Sequence, residues 1–343
     1  MLFVLVLLNR CSGENDSYIR FREFPVEYNL RAEPLFPLYT HGASIDLFDS
    51  LLFIANPYDK EYFIRIYNKN SLELYYEFLK RGKGPYEMNF CGRVALDRRN
   101  KFLWVSDINH NDLWGFHIDS LINEGSSLPS MIVHLPDKVY PIFEFHCYDS
   151  LFYLPVLGGG TGFMVFNAAG KEICQLETVT FKEFENLLGT ELNRTLSNVF
   201  PKKKKIITTY RYFDRLVIWD INGDDYRVVI GPDLLDIEEQ LKGDDYARIE
   251  AYFPYYPRAD HQYIYAQYNG KPGMMIDKEQ GTRHSNYGNK IHVFSWDGEP
   301  VARLNLDHQL ISFEIDTLEN RIIAFATDAD TTVVEYDISG FIK

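Results

Sequence analysis

Residues 81–87 read Arg-Gly-Lys-Gly-Pro-Tyr-Glu, a lysine between two glycines of the kind that can cradle a phosphate. Loops of that sort work because backbone N–H groups at a helix start point at the anion. Here Pro85 has no N–H to give, and residues 93–96 and 102–105 read as strands, not a helix. Nucleotide binding is therefore set aside. Gly82, Gly84, Pro85 and Glu87 are read as a connector between two pieces of sheet, the glycines allowing positive φ and the proline stiffening the bend.

A second candidate is Asp107–Asp112, Asp-Ile-Asn-His-Asn-Asp, whose carboxylates, Asn109 and His110 are cation-ligand types. It lacks the sixth-position glycine and the closing glutamate of a calcium loop, and Asx-rich tight turns need no metal. It is read as a turn, with no metal and no cofactor expected. The glycine cluster Gly158–Gly162 reads as a flexible hairpin loop. Neither a G-x-S-x-G nucleophile elbow nor an H-E-x-x-H helix occurs, so no catalytic residue is assigned. What remains is a ligand surface. It comprises the polar insertion 277–289 with His284, the neighbouring Tyr255, Tyr256, His261 and Tyr263, and the Asn109–His110 turn. Tyrosine faces can stack on a sugar or a peptide. Ordinary packing between strands accounts for these tyrosines equally well.

The scaffold for these residues comes from repetition. A turn rich in Asp, Asn or Arg, an apolar run, a polar break and a second β-type run recur along the chain. The apolar centres fall near Phe53, Trp104, Phe152, Val217, Ile264 and Ile323. Six units roughly fifty residues apart, each with room for three or four strands, are the signature of a β-propeller. The expected fold is all-β, a six-bladed propeller over 23–343 with units near 42–80, 90–135, 140–178, 195–232, 250–306 and 309–340. The last unit shows only three strands before the chain ends. Residues 24–30 are expected to lie beside its final strand, closing the ring and covering the edge. Helical patterns occur at 181–192, where Phe181, Phe184, Leu187, Leu188 and Leu192 share one face, and at 232–243, between Pro232 and Gly243. Both are read as insertions between blades.

Charge and cysteines narrow the partners. A net charge of −14 argues against nucleic acid and anionic membrane surfaces. The short basic run Lys202–Lys205 reads as a solvated turn before a strand. Cys91, Cys147 and Cys174 sit in strand-like contexts without C-x-x-C spacing and are read as buried, inert thiols.

The first eleven residues differ from the rest. Leu2–Leu8 is apolar, far short of the roughly 20 residues needed to span a bilayer but suited to a signal peptide. Cys11, followed by a polar stretch, resembles a bacterial lipoprotein signal, which implies lipidation at Cys11, a tether over 12–22 and a cell-envelope address. An ordinary secretory signal or a buried N-terminal strand remains the alternative.

Residues 75–119 carry a second resemblance. Gly82, Gly84, Pro85 and Glu87, followed by Trp104, Val105 and Asp107, resemble the blade junction of TolB-like six-bladed propeller lipoproteins of Bacteroides-type bacteria. The resemblance implies the ring and the envelope location, and no activity. The functional expectation is a monomeric, lipid-anchored binding or scaffold protein for a peptide, glycan or protein partner, with no nucleic acid and no membrane contact beyond the anchor. A carbohydrate-active hydrolase or lyase with its site in the propeller funnel is the alternative.

Overall fold

Each apolar run becomes a strand covered on both faces. Leu51–Ala55 is buried at every position, and Arg321–Ala326 at all but the first. A sheet with one wet face would alternate apolar and polar residues; continuous runs mean that neighbouring sheets cover both sides. The computed structural model describes residues 17–38, 43–125, 127–156, 162–177, 195–221, 225–233, 250–272, 274–277, 282–327 and 332–341.

An N-terminal arm carries β1 (Tyr18–Arg20), β2 (Glu27–Leu30) and β3 (Glu33–Phe36). Blade one is β4 (Ser44–Phe48), β5 (Leu51–Ala55), β6 (Tyr62–Asn68) and β7 (Leu74–Lys80). Blade two is β8 (Cys91–Asp97), β9 (Phe102–Asp107), β10 (Asp112–His117) and β11 (Met131–His134), with α1 (Ile118–Glu124) between the last two. Blade three is β12 (His146–Tyr148), β13 (Leu151–Pro155), β14 (Gly162–Asn167) and β15 (Glu172–Glu177). Blade four is β16 (Thr195–Phe200), β17 (Lys205–Tyr210), β18 (Arg215–Asp220) and β19 (Tyr226–Ile230). A short β20 (Glu250–Ala251) follows it. Blade five opens with β21 (Arg258–Ala259) and β22 (Tyr263–Tyr268). After β22 come β23 (Lys271–Pro272), which pairs with β20, and the hairpin β24 (Met274–Asp277) and β25 (Thr282–Ser285). The blade ends with β26 (Lys290–Ser295) and β27 (Pro300–Leu306). Blade six is β28 (Leu310–Asp316), β29 (Arg321–Ala326) and β30 (Val333–Asp337), completed by β3.

The inner strands β4, β8, β12, β16, β21 and β28 stand around a central channel. Neighbours touch at most junctions, and Asn198 Nδ2 donates to the Pro257 carbonyl at 3.1 Å between blades four and five. The core is six apolar layers, one between each pair of consecutive blades. Such layers form only if the last blade meets the first.

That closure differs from the sequence expectation in one respect. An N-terminal strand does complete the last blade, but it is β3, antiparallel to β30 with Glu33 opposite Glu335. Residues 27–30 pair instead in parallel with β27 of blade five, and 18–20, expected in a tether, pair in parallel with β19 of blade four. The arm thus runs along the outer edges of blades four, five and six, satisfying ladder groups that would otherwise be exposed. A strand of three or four residues has no periodicity from which its partner can be read. The helical patterns at 181–192 and 232–243 lie, apart from 232–233, outside the described residues. The helix that is described, α1, buries Ile118 and Leu121 and ends on the left-handed Gly125. Cys91 and Cys147 are buried as expected, but Cys174 is exposed, because β15 is an outer strand with one wet face.

Side chains weld the seam between blades six and one. Lys69 Nζ and Asp316 Oδ1 pair at 2.6 Å, both almost fully buried. Arg321 reaches the other Asp316 oxygen at 3.2 Å and donates to the Lys69 carbonyl at 3.0 Å. Removing one partner of a buried pair leaves a charge without water or counter-ion. Lys69→Ala is therefore expected to cost roughly 3 kcal/mol, moderated by Arg321, whereas Arg99→Ala, at the exposed Arg99–Asp149 pair, is expected to cost less than about 1 kcal/mol. Urea unfolding of the two variants checks this; equal losses would mean that the seam is not held this way.

Candidate functional site: the channel mouth

The strand order assigns every turn to a face. Connectors between blades and second-to-third-strand turns lie on one side, first-to-second-strand turns on the other. The family-type connector 81–90 is therefore on the first side, with the loop between β5 and β6.

Its amides are already committed. Gly82 N–H donates to the Met88 carbonyl at 2.9 Å, and Gly84 N–H to Glu87 Oε2 at 2.8 Å. Arg81 donates to the carbonyls of Asp59 and Pro57. No donor array is left for a phosphate. Neither glycine has positive φ; a Cβ on Gly82 would lie 1.9 Å from Glu87 Oε2 and one on Gly84 2.9 Å, so a side chain at either position would push the Glu87 carboxylate aside. The left-handed residue is Tyr86, at φ 63°.

The connector side carries five of the exposed aromatic residues, while Tyr18 and Tyr75 are exposed on the outer strands β1 and β7. Tyr58, Tyr86, Phe90, Tyr140 and Phe143 are all exposed. Phe90 immediately precedes β8, and Phe143 lies just before β12. Tyr255 and Tyr256 hold the corresponding place before β21. Residues at the entrance of inner strands border the channel, which puts Phe90, Phe143, Tyr255 and Tyr256 at its mouth; Tyr58, Tyr86 and Tyr140 share that face of the ring.

Below them the channel has a floor. Arg93 on β8 reaches from blade two to blade five, on the far side of the ring, where its guanidinium lies 3.7 Å from the Tyr256 ring centre. His146 on β12 meets the same ring edge-on at 6.3 Å, and its Nε2 is 3.1 Å from Glu144 Oε1. Arg258 on β21 is buried, pairs with Glu314 at 3.0 Å, donates to the Phe313 carbonyl at 3.0 Å and contacts the Tyr255 hydroxyl at 3.3 Å. Burial pushes the Glu314 carboxyl up from its ordinary value, and Arg258 draws it part of the way back. Burial, helped by the charges of Arg93 and Arg258, lowers the His146 imidazole against the opposing pull of Glu144. The floor is therefore a stacked arginine, a neutral imidazole and a compensated ion pair.

The residues singled out from sequence divide between the two faces. Tyr255 and Tyr256 are at the channel as described. Asn109 and His110 are exposed on the connector side in the β9–β10 turn, and β25, which contains His284, belongs to the insertion on that side. Asp107 shapes the turn: its Oδ1 accepts from the Asn109 N–H at 3.0 Å, and its Oδ2 is 2.7 Å from His110 Nδ1. His261 is exposed in the β21–β22 turn on the opposite face. Tyr263 is there too, and packs on Phe341 with ring centres 5.2 Å apart. These two do not join the mouth. Cys11 lies outside the described residues. Sequence reasoning missed Arg93, Phe90, Phe143, His146 and the Arg258–Glu314 pair. The available signal was position, just before or within an inner strand.

Six four-stranded blades closed by an N-terminal strand define a six-bladed β-propeller. The chain belongs to the TolB-like 6-blade propeller-like family, which it matches over residues 20–318. A DUF4221-family protein from Bacteroides vulgatus superposes with a TM-score of 0.59 at 13% identity, covering 92% of this chain and 96% of that one. A Bacteroides fragilis protein assigned as exported gives 0.57 at 11% identity, over 93% and 98%. At these identities the likeness concerns the fold alone. A search of curated proteins finds no match.

The channel histidine and the turn histidine are shifted in opposite directions. His146 is expected to titrate below the ordinary 6.5 because it is buried, and His110 above it because it hydrogen-bonds the Asp107 carboxylate. A histidine-resolved NMR titration, assigned with His146→Gln and His110→Gln, checks the order. Coincident midpoints would contradict the placement of His146 in the floor.

Proposed function

We propose that the protein is a non-catalytic recognition propeller of the cell envelope, lipid-anchored through Cys11, that takes a peptide, glycan or protein partner at the connector-side mouth of its channel. The observation that carries this reading is the pair of exposed aromatics at inner-strand entrances, Phe90 and Phe143, on the face that also exposes Tyr58, Tyr86 and Tyr140. Large apolar side chains left uncovered on one face of a rigid scaffold are the usual mark of a binding surface. The carboxylates at the floor support binding over turnover, since Glu314 is engaged by Arg258 and Glu144 by His146. The assignment of the Bacteroides fragilis neighbour as exported supports an extracytoplasmic address.

A lyase or hydrolase in the same funnel is the second reading. The observation favouring it is the Glu144–His146 contact beside Tyr256, an acid–base pair next to a phenol. New reducing ends or an unsaturated product, released from a bound glycan and lost in His146→Gln, would decide for the enzyme.

Two experiments test the main reading. On glycan and peptide arrays, Phe143→Ala with Tyr140→Ala is expected to abolish the wild-type signals, while the opposite-face variant His261→Ala keeps them. Unchanged signals in the double variant would remove the mouth from consideration. For the address, Cys11→Ala is expected to move the protein from the membrane to the soluble fraction; membrane retention equal to wild type would refute the anchor.

A further inference from the structure

We propose that the channel floor is a carboxylate site and that the ligand at the mouth is an acidic sugar, a uronic acid in a glycan, held by Arg93. This rests on the recognition reading above and narrows it.

The argument starts from what Arg93 lacks. Its Nε is buried and donates to nothing among the described residues, and no carboxylate there lies within ion-pair reach. A guanidinium is charged at every physiological pH, and an unmet buried donor is costly. Arg93 is not alone in this, since Arg211 and Arg303 also bury an Nε with no acceptor among the described residues; what sets it apart is its place among inner-strand residues, where Arg258 by contrast has Glu314. Around Arg93, Glu144 is taken by His146 and Glu314 by Arg258, and half-buried Asp46 on β4 makes no ion pair among the described residues. Contact with the Tyr256 face positions the guanidinium, and Arg93 as a whole stays half-buried, so its end is within reach of an acceptor entering the channel. The same contact holds the group in place before a ligand arrives, so less side-chain entropy is lost on binding.

The surroundings select the rest of the ligand. Phe90 and Phe143 at the rim offer flat apolar faces of the kind that pack against a pyranose ring. A carboxylate attached directly to such a ring matches both features at once. The net charge of −14 disfavours general retention of anions, so carboxylate-dependent binding would report this local site.

The test is calorimetric titration of the full chain with tri-galacturonate, its methyl ester, a neutral maltotriose, and an acidic peptide presented as free acid and as C-terminal amide. Tri-galacturonate is expected to bind, and the ester and maltotriose about tenfold or more weaker, the loss typical of one charge-assisted contact. Arg93→Gln should reduce the affinity for tri-galacturonate to the level of the ester, and Arg93→Lys should retain part of it. The esterified ligand needs no variant, so the comparison stands even if Arg93→Gln misfolds. Equal binding of acid and ester, no binding of the uronate, or binding of the free-acid peptide alone each overturns the proposal. Array signals that need Phe143 but not Arg93 would sink the carboxylate site and leave the recognition reading intact. If they need neither residue, both readings fall.

Discussion

Everything in this molecule depends on the last blade reaching the first. The inner and middle strands of a blade have no wet face to fall back on: both sides are apolar, and each finds cover from a neighbouring blade. An open arc of six blades would leave two blade faces, the halves of one layer, turned to water, which is why the seam is so heavily built. It combines the β3–β30 pairing, the apolar contact of Ile45 and Leu47 with Phe325 and Val333, and the buried Lys69–Asp316–Arg321 cluster. A buried ion pair in a seam is poor evidence for net stability compared with apolar packing. Its effect is geometric, because a charge that must find one partner leaves little freedom in how blade six docks on blade one.

Closure sets the centre as well. Arg93 and Tyr256 come from opposite blades, and Arg258 touches strands of blades one and six through the carbonyls of Ile45 and Phe313. These contacts exist only in a complete ring of this circumference. The channel floor is therefore a readout of the whole fold, and a change at the seam that widened the ring would first be felt as a loss of the Arg93–Tyr256 stack.

The same logic governs what the sequence made legible. The blades were legible because a strand buried on both sides writes a continuous apolar run, and six such runs at a regular period fit few folds besides a propeller. The arm was half legible: that an N-terminal strand closes the ring follows from the three-stranded last unit, but which residues do it is decided by ring geometry, and β1 and β2 are too short to announce parallel partners in blades four and five. Of the site, Tyr255 and Tyr256 could be found as aromatics beside an insertion. His261 and Tyr263, adjacent in sequence, turned out to be on the other face because the two-residue strand β21 separates them from the mouth. Arg93 was hidden for a more general reason. It sits in Cys-Gly-Arg-Val-Ala-Leu-Asp, an ordinary inner strand, and what makes it unusual is the missing counter-ion, which no local pattern encodes.

The connector 81–90 links the family-type motif to the site. Glu87 folds its carboxylate onto Gly84 N–H and against Gly82, and the backbone hydrogen bonds of Gly82 and Met88 close the loop on itself. Within that frame Tyr86 is held left-handed, a conformation costing an aromatic residue on the order of 1 kcal/mol or more, and its ring is left in solvent. A loop serving only to join two blades could place glycine there at no cost. Tolerating a left-handed tyrosine makes sense if its ring is wanted where it is, on the same face as Phe90. The glycines and Glu87 are then the support, and Tyr86 and Phe90 what they support: the motif that marks the fold also builds one wall of the mouth.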